Sequence, residues 1–350
     1  MAKRTILAGN RSVVTGGTGS LGKRLVYRLL NGELGQPSQV VVFSRDETKQ
    51  HAMRLESHNY NWNSVTDEVV YSDTSRLQFV IGDVRDIHAI TSVLQGADIV
   101  IHAAAMKQVP ACEYNPLEAI QTNILGSSNI LQAIHENRIP VESVVGISTD
   151  KAVKPINLYG MTKAIQEVLF TVANLRPSTT KFASVRYGNV LSSRGSVVPL
   201  FQEQVKRGGP VTITSLKMTR FFFTLDQAID AVFACLLNAR KGEIYVPNIR
   251  SVLITDLVSL LVGDSKIDVK VVGIRPGEKM HEELISREEM KRTESRDNYY
   301  VIHPNLPEIQ SEISCRDYPH TEYSSSNRLM SKSELLCLLK KSSLLSGNIT

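Results

Sequence analysis

A doubly wound α/β fold, a Rossmann-type parallel sheet with a smaller C-terminal substrate-binding domain, is predicted by three features of the chain. Short apolar runs alternate with stretches of helical periodicity through the first half. A glycine triplet, Gly16, Gly19 and Gly22, lies between the first apolar run and the first helical stretch. The runs that follow end in small or polar residues, as strands do when their carboxyl ends line a ligand crevice.

Ser12-Val13-Val14 reads as the first strand, and Leu21, Leu25, Leu29 and Leu30 recur at helical spacing after it. Glycines between the two let the chain turn tightly and bring backbone N–H groups to a pyrophosphate at the positive end of the helix. Gly16, Thr18, Gly19, Ser20, Leu21 and Gly22 are therefore the candidate phosphate cradle. A lone glycine triplet is a weak signal, but one placed between strand and helix makes a plain glycine-rich turn the lesser reading.

The second run, residues 39–43, ends in Ser44-Arg45-Asp46. An acid at this place grips the ribose 2′-hydroxyl of NAD, whereas an arginine accommodates the 2′-phosphate of NADP. Arg45 comes first and Lys49 follows four residues on, which favours NADP; Asp46 on the ribose with Arg45 facing water is the alternative. Residues 77–81 precede Gly82-Asp83-Val84, and residues 97–102 lead into Ala103-Ala104-Ala105. Small side chains there let a flat cofactor lie against the backbone, with Asp83, Val84 and Ala103 facing it. His102 reads as a packed or hydrogen-bonded strand-end residue. The fifth run, 143–147, delivers Ser148-Thr149-Asp150-Lys151 to the same edge.

Tyr159 and Lys163 lie four apart, so on a helix they share one face, where an ammonium beside a phenol favours the phenolate. The spacing alone is weak, because a surface tyrosine and a solvated lysine would look the same. Its convergence with the phosphate cradle on one crevice favours catalysis. Asp150 and Lys151 add an acid/base pair that simple alcohol oxidation does not require.

The sixth strand is expected at 181–186, after which the alternation lapses. A turn at Arg207-Gly208-Gly209-Pro210 precedes a strand at 211–213, and 221–237 reads as one strand and one helix. A helix at 255–261, a strand at 269–272, a loop around Ser324-Ser325-Ser326 and a short closing helix follow. Residues 8–188, with 221–247 returning to them, are read as the cofactor domain. Residues 189–220 and 248–345 are read as the substrate domain.

The chain has 350 residues, 42% hydrophobic and 21% charged, the balance of a soluble enzyme. Its formal charge of +5 is dispersed, which suits a small anionic substrate better than nucleic acid. Cys112, Cys235, Cys315 and Cys337 have no metal-ligand spacing, so no metal is expected and the cysteines fit a reducing compartment. With no signal-like or membrane-length apolar run, a cytoplasmic location without membrane partners is expected.

Thr15-Gly16-Gly17-Thr18-Gly19, Ser44-Arg45-Asp46-Glu47, Ala104-Ala105-Met106-Lys107 and Ser148-Thr149-Asp150-Lys151 together resemble an extended short-chain dehydrogenase/reductase. More narrowly they resemble UDP-N-acetylglucosamine 4,6-dehydratases that invert C5, the first enzymes of pseudaminic-acid-type pathways. The likeness continues through Val185-Arg186-Tyr187-Gly188-Asn189-Val190, Met218-Thr219-Arg220-Phe221, Ile274-Arg275-Pro276-Gly277-Glu278-Lys279 and Glu322-Tyr323-Ser324-Ser325. It implies that Lys107, Asn189, Arg194, Arg220, Arg275 and Glu278 line the UDP-sugar site. It also implies that Lys107, Tyr159, Lys163 and Val190 join the residues around NADP, and that the chain forms a homo-oligomer, a hexamer or smaller. One departure stands out: the segment 57–76, with Asn61-Trp62-Asn63, is longer than expected. Related inverting dehydratases of capsule and O-antigen synthesis carry methionine where this chain has Tyr159, which favours the pseudaminic-type branch.

The implied chemistry begins with Tyr159, supported by Lys163, taking the C4 hydroxyl proton as hydride leaves C4 for the cofactor, with Thr149 bonded to the same oxygen. The ketone acidifies C5–H. Lys151 takes that proton while Asp150, in its acid form, protonates the departing C6 hydroxyl. Hydride returns to C6, and a proton added to the opposite face of C5 inverts it. Retaining relatives carry glutamate at the position of Lys151. Lys151 must be neutral to act, and Lys163, the charged cofactor ring and partial burial are expected to lower its pKa. Two other readings differ in kind: a UDP-hexose 4-epimerase would not need Asp150 and Lys151, and a non-catalytic NADP-binding scaffold would not need Thr149, Tyr159 and Lys163 intact.

Overall fold

The structure, a computed structural model, describes residues 5–57, 76–191, 197–263, 265–310, 321–342 and 344. Nearly all of the long 57–76 segment, Asn61-Trp62-Asn63 included, lies outside them, as do Arg194 and Cys315.

The alternation seen in the sequence becomes β1 (Arg11–Thr15), α1 (Ser20–Leu30), β2 (Gln39–Ser44), α2 (Glu47–Ser57), β3 (Leu77–Ile81), α3 (Ile87–Leu94) and β4 (Ile99–His102). Then come α4 (Val109–Tyr114), α5 (Pro116–Ala119), a π-helical turn (Ile120–Leu125), α6 (Gly126–Glu136), β5 (Ser143–Thr149), a 3₁₀ turn (Asp150–Ala152), α7 (Leu158–Ala173) and β6 (Lys181–Tyr187). Strands buried on both faces need apolar side chains in unbroken succession, and β2 supplies Val40, Val41, Val42 and Phe43, all fully or almost fully buried. Because the side-chain period is two, Val40 and Val42 pack with Leu25 and Leu29 of α1 on one face, while Val41 and Phe43 pack with Ile90, Ile130 and Ile134 on the other.

Beyond β6 come β7 (Asn189–Val190), α8 (Val197–Lys206), β8 (Val211–Ile213), β9 (Thr219–Phe223), α9 (Leu225–Asn238), β10 (Ile244–Pro247), β11 (Ser251–Leu253) and α10 (Ile254–Val262). The remainder comprises β12 (Val269–Val271), β13 (Glu283–Ile285), α11 (Arg287–Met290), β14 (Thr293–Arg296), β15 (Tyr299–Ile302), β16 (Tyr323–Ser324) and α12 (Lys332–Lys341). The main sheet runs β14-β15-β10-β6-β5-β4-β1-β2-β3, and the seven strands from β10 to β3 are mutually parallel. Strand order reverses between β1 and β4, which opens a crevice at their carboxyl ends.

Two details differ from the expected division into 8–188 with 221–247 and 189–220 with 248–345. β14 and β15, within that stretch, form a hairpin through Asp297, which holds φ +54°, and β15 pairs antiparallel with β10 of the main sheet. Without it the polar main chain of β10 would be left as an open edge. Conversely β9, within the stretch expected to return to the cofactor domain, pairs with β7 and β11 in a separate sheet; α9 and β10 make the return. A second core of Val198, Phe201, Phe222, Leu257 and Leu339 fills the C-terminal part.

Arg186 ties the pieces together from inside. Its guanidinium donates to Glu167 on α7 at 2.9 and 2.6 Å, to Glu289 on α11 at 2.9 and 2.9 Å, and to the Leu284 carbonyl at 2.9 Å. Arg186→Ala leaves the buried Glu167 without its cation and the partly buried Glu289 with only Arg292 at 3.6 Å, and should cost about 3–5 kcal/mol. Urea unfolding of the variant against the parent measures it; a loss under about 1 kcal/mol would mean the carboxylates are resolvated.

Candidate active site

The cofactor side is shaped by what cannot fit there. Gly16 holds φ +70°, and a Cβ on it would lie 2.7 Å from the Ala104 nitrogen at the end of β4. A Cβ on Gly22 would lie 2.6 Å from the Gly16 oxygen, so the loop and α1 close on one another only through glycine. The α1 N-cap, Gly19, has no side-chain cap, and the first turn carries no acid. Its N–H groups and the positive end of its dipole are thus open to a phosphate. These features fit a dinucleotide.

A cavity of about 710 Å³ opens at this edge. Every candidate cofactor residue lines it: Gly16, Thr18, Gly19, Ser20, Leu21, Gly22, Ser44, Arg45, Asp46, Lys49, Asp83, Val84, Ala103, Lys107, Tyr159, Lys163 and Val190. Of the substrate candidates, Lys107, Asn189, Arg220, Arg275 and Glu278 line it too. Thr149 and Lys151 do so as well, whereas Asp150 is fully buried just behind the wall. Asp46 accepts the Lys49 backbone N–H at 2.9 Å and pairs with the Lys49 ammonium, so it serves the start of α2. The Arg45 guanidinium lies 3.7 Å from Asp83 and is more than half exposed. His102 is fully buried between Thr15 (2.8 Å) and Ser127 (3.1 Å), and burial drives its pKa down to about 3.

The 3₁₀ turn after β5 is pressed against the start of α7, where a Cβ on Gly160 would overlap the Lys151 carbonyl. Asn157 caps α7 by accepting the Gly160 N–H at 2.8 Å, and its amide donates to the Gly277 carbonyl at 2.8 Å. The cap therefore also holds the loop bearing Arg275 and Glu278. On this platform Lys151 Nζ lies 3.0 Å from Asp150 Oδ1, 3.3 Å from Asn189 Oδ1 and 3.3 Å from Glu282 Oε1. Thr149 Oγ1 donates to Asp150 Oδ1 at 3.0 Å. Asp150 Oδ2 and Glu282 Oε2 are buried with no partner among the described residues.

The electrostatics follow. Burial raises the Asp150 pKa above the usual carboxylate range, against the pull of Lys151. The expected lowering of Lys151 is reversed: burial does disfavour its ammonium, but Asp150 and Glu282 outweigh it and the pKa is raised. Glu282 is held below the usual carboxylate range, since Lys151, Arg220 and Lys279 overcome its burial. Burial pushes Tyr159 up to about 12, with Lys151 and a hydrogen bond from Thr149 acting the other way. Burial lowers Lys163 to about 7. Its Nζ donates to the Ile147 carbonyl and Gln166 Oε1, each at 2.8 Å, and no described hydrogen bond joins it to Tyr159. Arg220, which the resemblance places in the UDP-sugar site, spends Nη1 on the Thr219 and Met280 carbonyls and points Nη2 at Glu278, 3.4 Å away.

Three contributors escape sequence reading. Glu282 is the second carboxylate on Lys151. Thr122 faces the cavity from the π turn, its hydroxyl without a described partner. The neighbouring Asn123 uses the same turn to bond both main-chain groups of Met106, at 2.8 and 2.9 Å, and so fixes the loop before Lys107. The apolar spacing around residues 120–125 shows a helix but not its widened turn, and His281-Glu282-Glu283 has no periodic signal at all.

Residues 12–304 match the family described as Polysaccharide biosynthesis protein. A UDP-N-acetylglucosamine 4,6-dehydratase (inverting) of Campylobacter jejuni is 40% identical over 307 residues, 87% of this chain and 86% of that one. A UDP-glucose 4-epimerase of Rickettsia conorii is 41% identical over 295 residues, 83% of this chain and 82% of the relative. In three dimensions Pen from Bacillus thuringiensis matches with a TM-score of 0.86 at 33% identity, covering 97% of this chain and 100% of that one. The chain belongs to the polysaccharide biosynthesis protein family, on the fold of the extended short-chain dehydrogenase/reductases.

Proposed function

We propose that this enzyme is a UDP-N-acetylglucosamine 4,6-dehydratase that inverts C5 and works with tightly bound NADP. The observation that carries the reading is the buried Asp150–Lys151 pair, with Glu282 behind it, opening beside Tyr159 onto the dinucleotide crevice. Oxidation at C4 needs Tyr159; only an elimination needs a second acid and base within reach of C5 and C6. The bound nicotinamide supplies the hydride acceptor for C4 and the hydride donor for C6.

Tyr159 takes the C4 hydroxyl proton, with Thr149 bonded to it and the Lys151 charge favouring its phenolate. Lys163, on the same face of α7, is fixed by Ile147 and Gln166 against the cofactor wall. Once C4 is a ketone, C5–H is acidic. Lys151 takes that proton, Asp150 protonates the C6 hydroxyl, water leaves, and a C5–C6 double bond forms. Hydride addition at C6 and a proton on the opposite face of C5 give the 4-keto-6-deoxy sugar of L-arabino configuration. The UDP group meets Lys107 and Arg275 at the crevice, where Arg275 is exposed, with Asn189, Arg220 and Glu278 deeper in. Arg194, by resemblance, belongs with them.

The Rickettsia relative keeps a 4-epimerase in view, and the product decides between the two. Turnover of UDP-N-acetylglucosamine in deuterium oxide without added reductant should give a C6 methyl signal not split by C5–H, with L-arabino couplings, in the proton NMR spectrum. A hydroxymethyl C6 would replace this reading by the epimerase, and D-xylo couplings would leave a dehydratase that retains C5.

NADP is favoured over NAD because Asp46 is engaged at the start of α2 while Arg45 faces the crevice. Arg45→Ala should weaken NADP more than NAD by one charge-assisted contact, about 1.5–3 kcal/mol. Fluorescence titration with each cofactor measures this, and equal losses would remove Arg45 from the 2′-phosphate role.

A further inference from the structure

Lys151 presents a difficulty that geometry alone states. Its ammonium is held by Asp150 Oδ1 at 3.0 Å and Glu282 Oε1 at 3.3 Å, yet a base for C5 must first lose a proton. Asp150 cannot be the destination, because it must itself carry the proton destined for the C6 hydroxyl. Bulk water is a poor one once the sugar fills the cavity, because the cavity is where the 19% of the Lys151 side chain that remains exposed lies, and the carboxylates on either side are almost fully buried. Glu282 remains. Its main chain is clamped by Ser325, whose hydroxyl accepts the Glu282 N–H at 2.9 Å and whose own N–H donates to the Glu282 carbonyl at 2.8 Å. Its side chain reaches the cavity wall, with Oε2 buried and without a described partner.

We infer that Glu282 is the proton partner of Lys151: it takes the ammonium proton as the sugar closes the cavity, and the freed amine then removes the C5 proton. This rests on the dehydratase reading. The balance is simple. One proton moves from Lys151 Nζ to Glu282, the C5 proton then moves to Lys151 Nζ, and no electrons leave the sugar–cofactor pair. At rest the proton sits on Lys151, because Arg220 and Lys279 also face Glu282 and favour its ionised form. Replacing water by the sugar raises the cost of two separate charges, and transfer to the neutral pair relieves it. Asp150 and Arg220 face Lys151, and Arg220 also faces the neighbouring imidazole of His281. Glu282 acts through Lys151 and is a positioning residue rather than one that touches C5.

The test compares the full-length wild-type enzyme with Glu282→Gln, each loaded with NADP, on UDP-N-acetylglucosamine across pH 6 to 9 (about three units, the range over which an unassisted amine would titrate). In the wild type, one proton shared by the pair makes kcat nearly flat. In Glu282→Gln, Lys151 must lose its proton to solvent, so kcat should fall by roughly 10²–10⁴-fold at neutral pH and climb with pH, while KM stays within about twofold. Absorbance of reduced cofactor should build up, because C4 oxidation does not use Glu282. Glu282→Asp keeps a carboxylate and should keep the flat profile at lower kcat, which provides a reading if the amide variant fails to fold. A pH-independent loss in Glu282→Gln, kcat near wild type, or a sloping profile in Glu282→Asp each overturns the inference alone. A wild type that forms no 6-deoxy product overturns it together with the dehydratase reading.

Discussion

The site depends on the contact between Gly160 and the carbonyl of Lys151. With no Cβ in the way, the first turn of α7 rests directly on the 3₁₀ turn that ends β5. Tyr159 and Lys151, from separate elements, are thereby brought to one wall. The same helix then places Lys163 one turn on, against Ile147, and Glu167 a further turn on, against Arg186. Reactive groups, cofactor wall and structural ion network are thus three successive turns of one rigid element. A larger residue at 160 would tilt all three, so the glycine governs register as well as fit.

What the C-terminal part adds is confinement and charge. Asn157 joins the α7 cap to Gly277, Gly188 brings β6 within contact of Phe221, and Ser325 pins the main chain of Glu282. None of these contacts joins elements adjacent in sequence. Tyr159 and Lys163 thus lie on a helix of the sheet domain, whereas Glu282 reaches Lys151 from the C-terminal part. This division matches the chemistry. Alcohol oxidation tolerates a partly open cleft, whereas handling the C5 proton and the C6 hydroxyl needs water excluded.

The same division explains what could be read from the chain. The first six strands, the glycine cradle and the Tyr159–Lys163 pair are local patterns, set by spacing within a few residues, and the cofactor candidates all reach the crevice. The raised pKa of Lys151 is not legible in the chain, because the cation Lys163 lies nearby in sequence whereas the carboxylate of Glu282 arrives from a distant loop. Arginine as a residue type suits a phosphate, and only the fold shows that Nη1 of Arg220 is already taken by two carbonyls. The β14–β15 hairpin had a local signal in Arg296-Asp297-Asn298, yet which sheet it would join is a long-range decision.

The buried charges themselves argue for elimination. Asp150 and Glu282 are nearly removed from water, Lys151 between them is only partly exposed to the cavity, and one oxygen of each carboxylate has no described partner. Burying charge this way costs several kcal/mol per ion, and a cluster serving stability alone would satisfy those oxygens or be replaced by apolar side chains. An epimerase gains nothing from it, since Tyr159 and the cofactor suffice to oxidise C4 and reduce it again. An enzyme that must take a proton from carbon while giving one to oxygen needs an acid kept neutral and a base kept close, in one dry place. Burial works toward the first by raising the Asp150 pKa, and the Glu282 carboxylate lies 3.3 Å from Lys151.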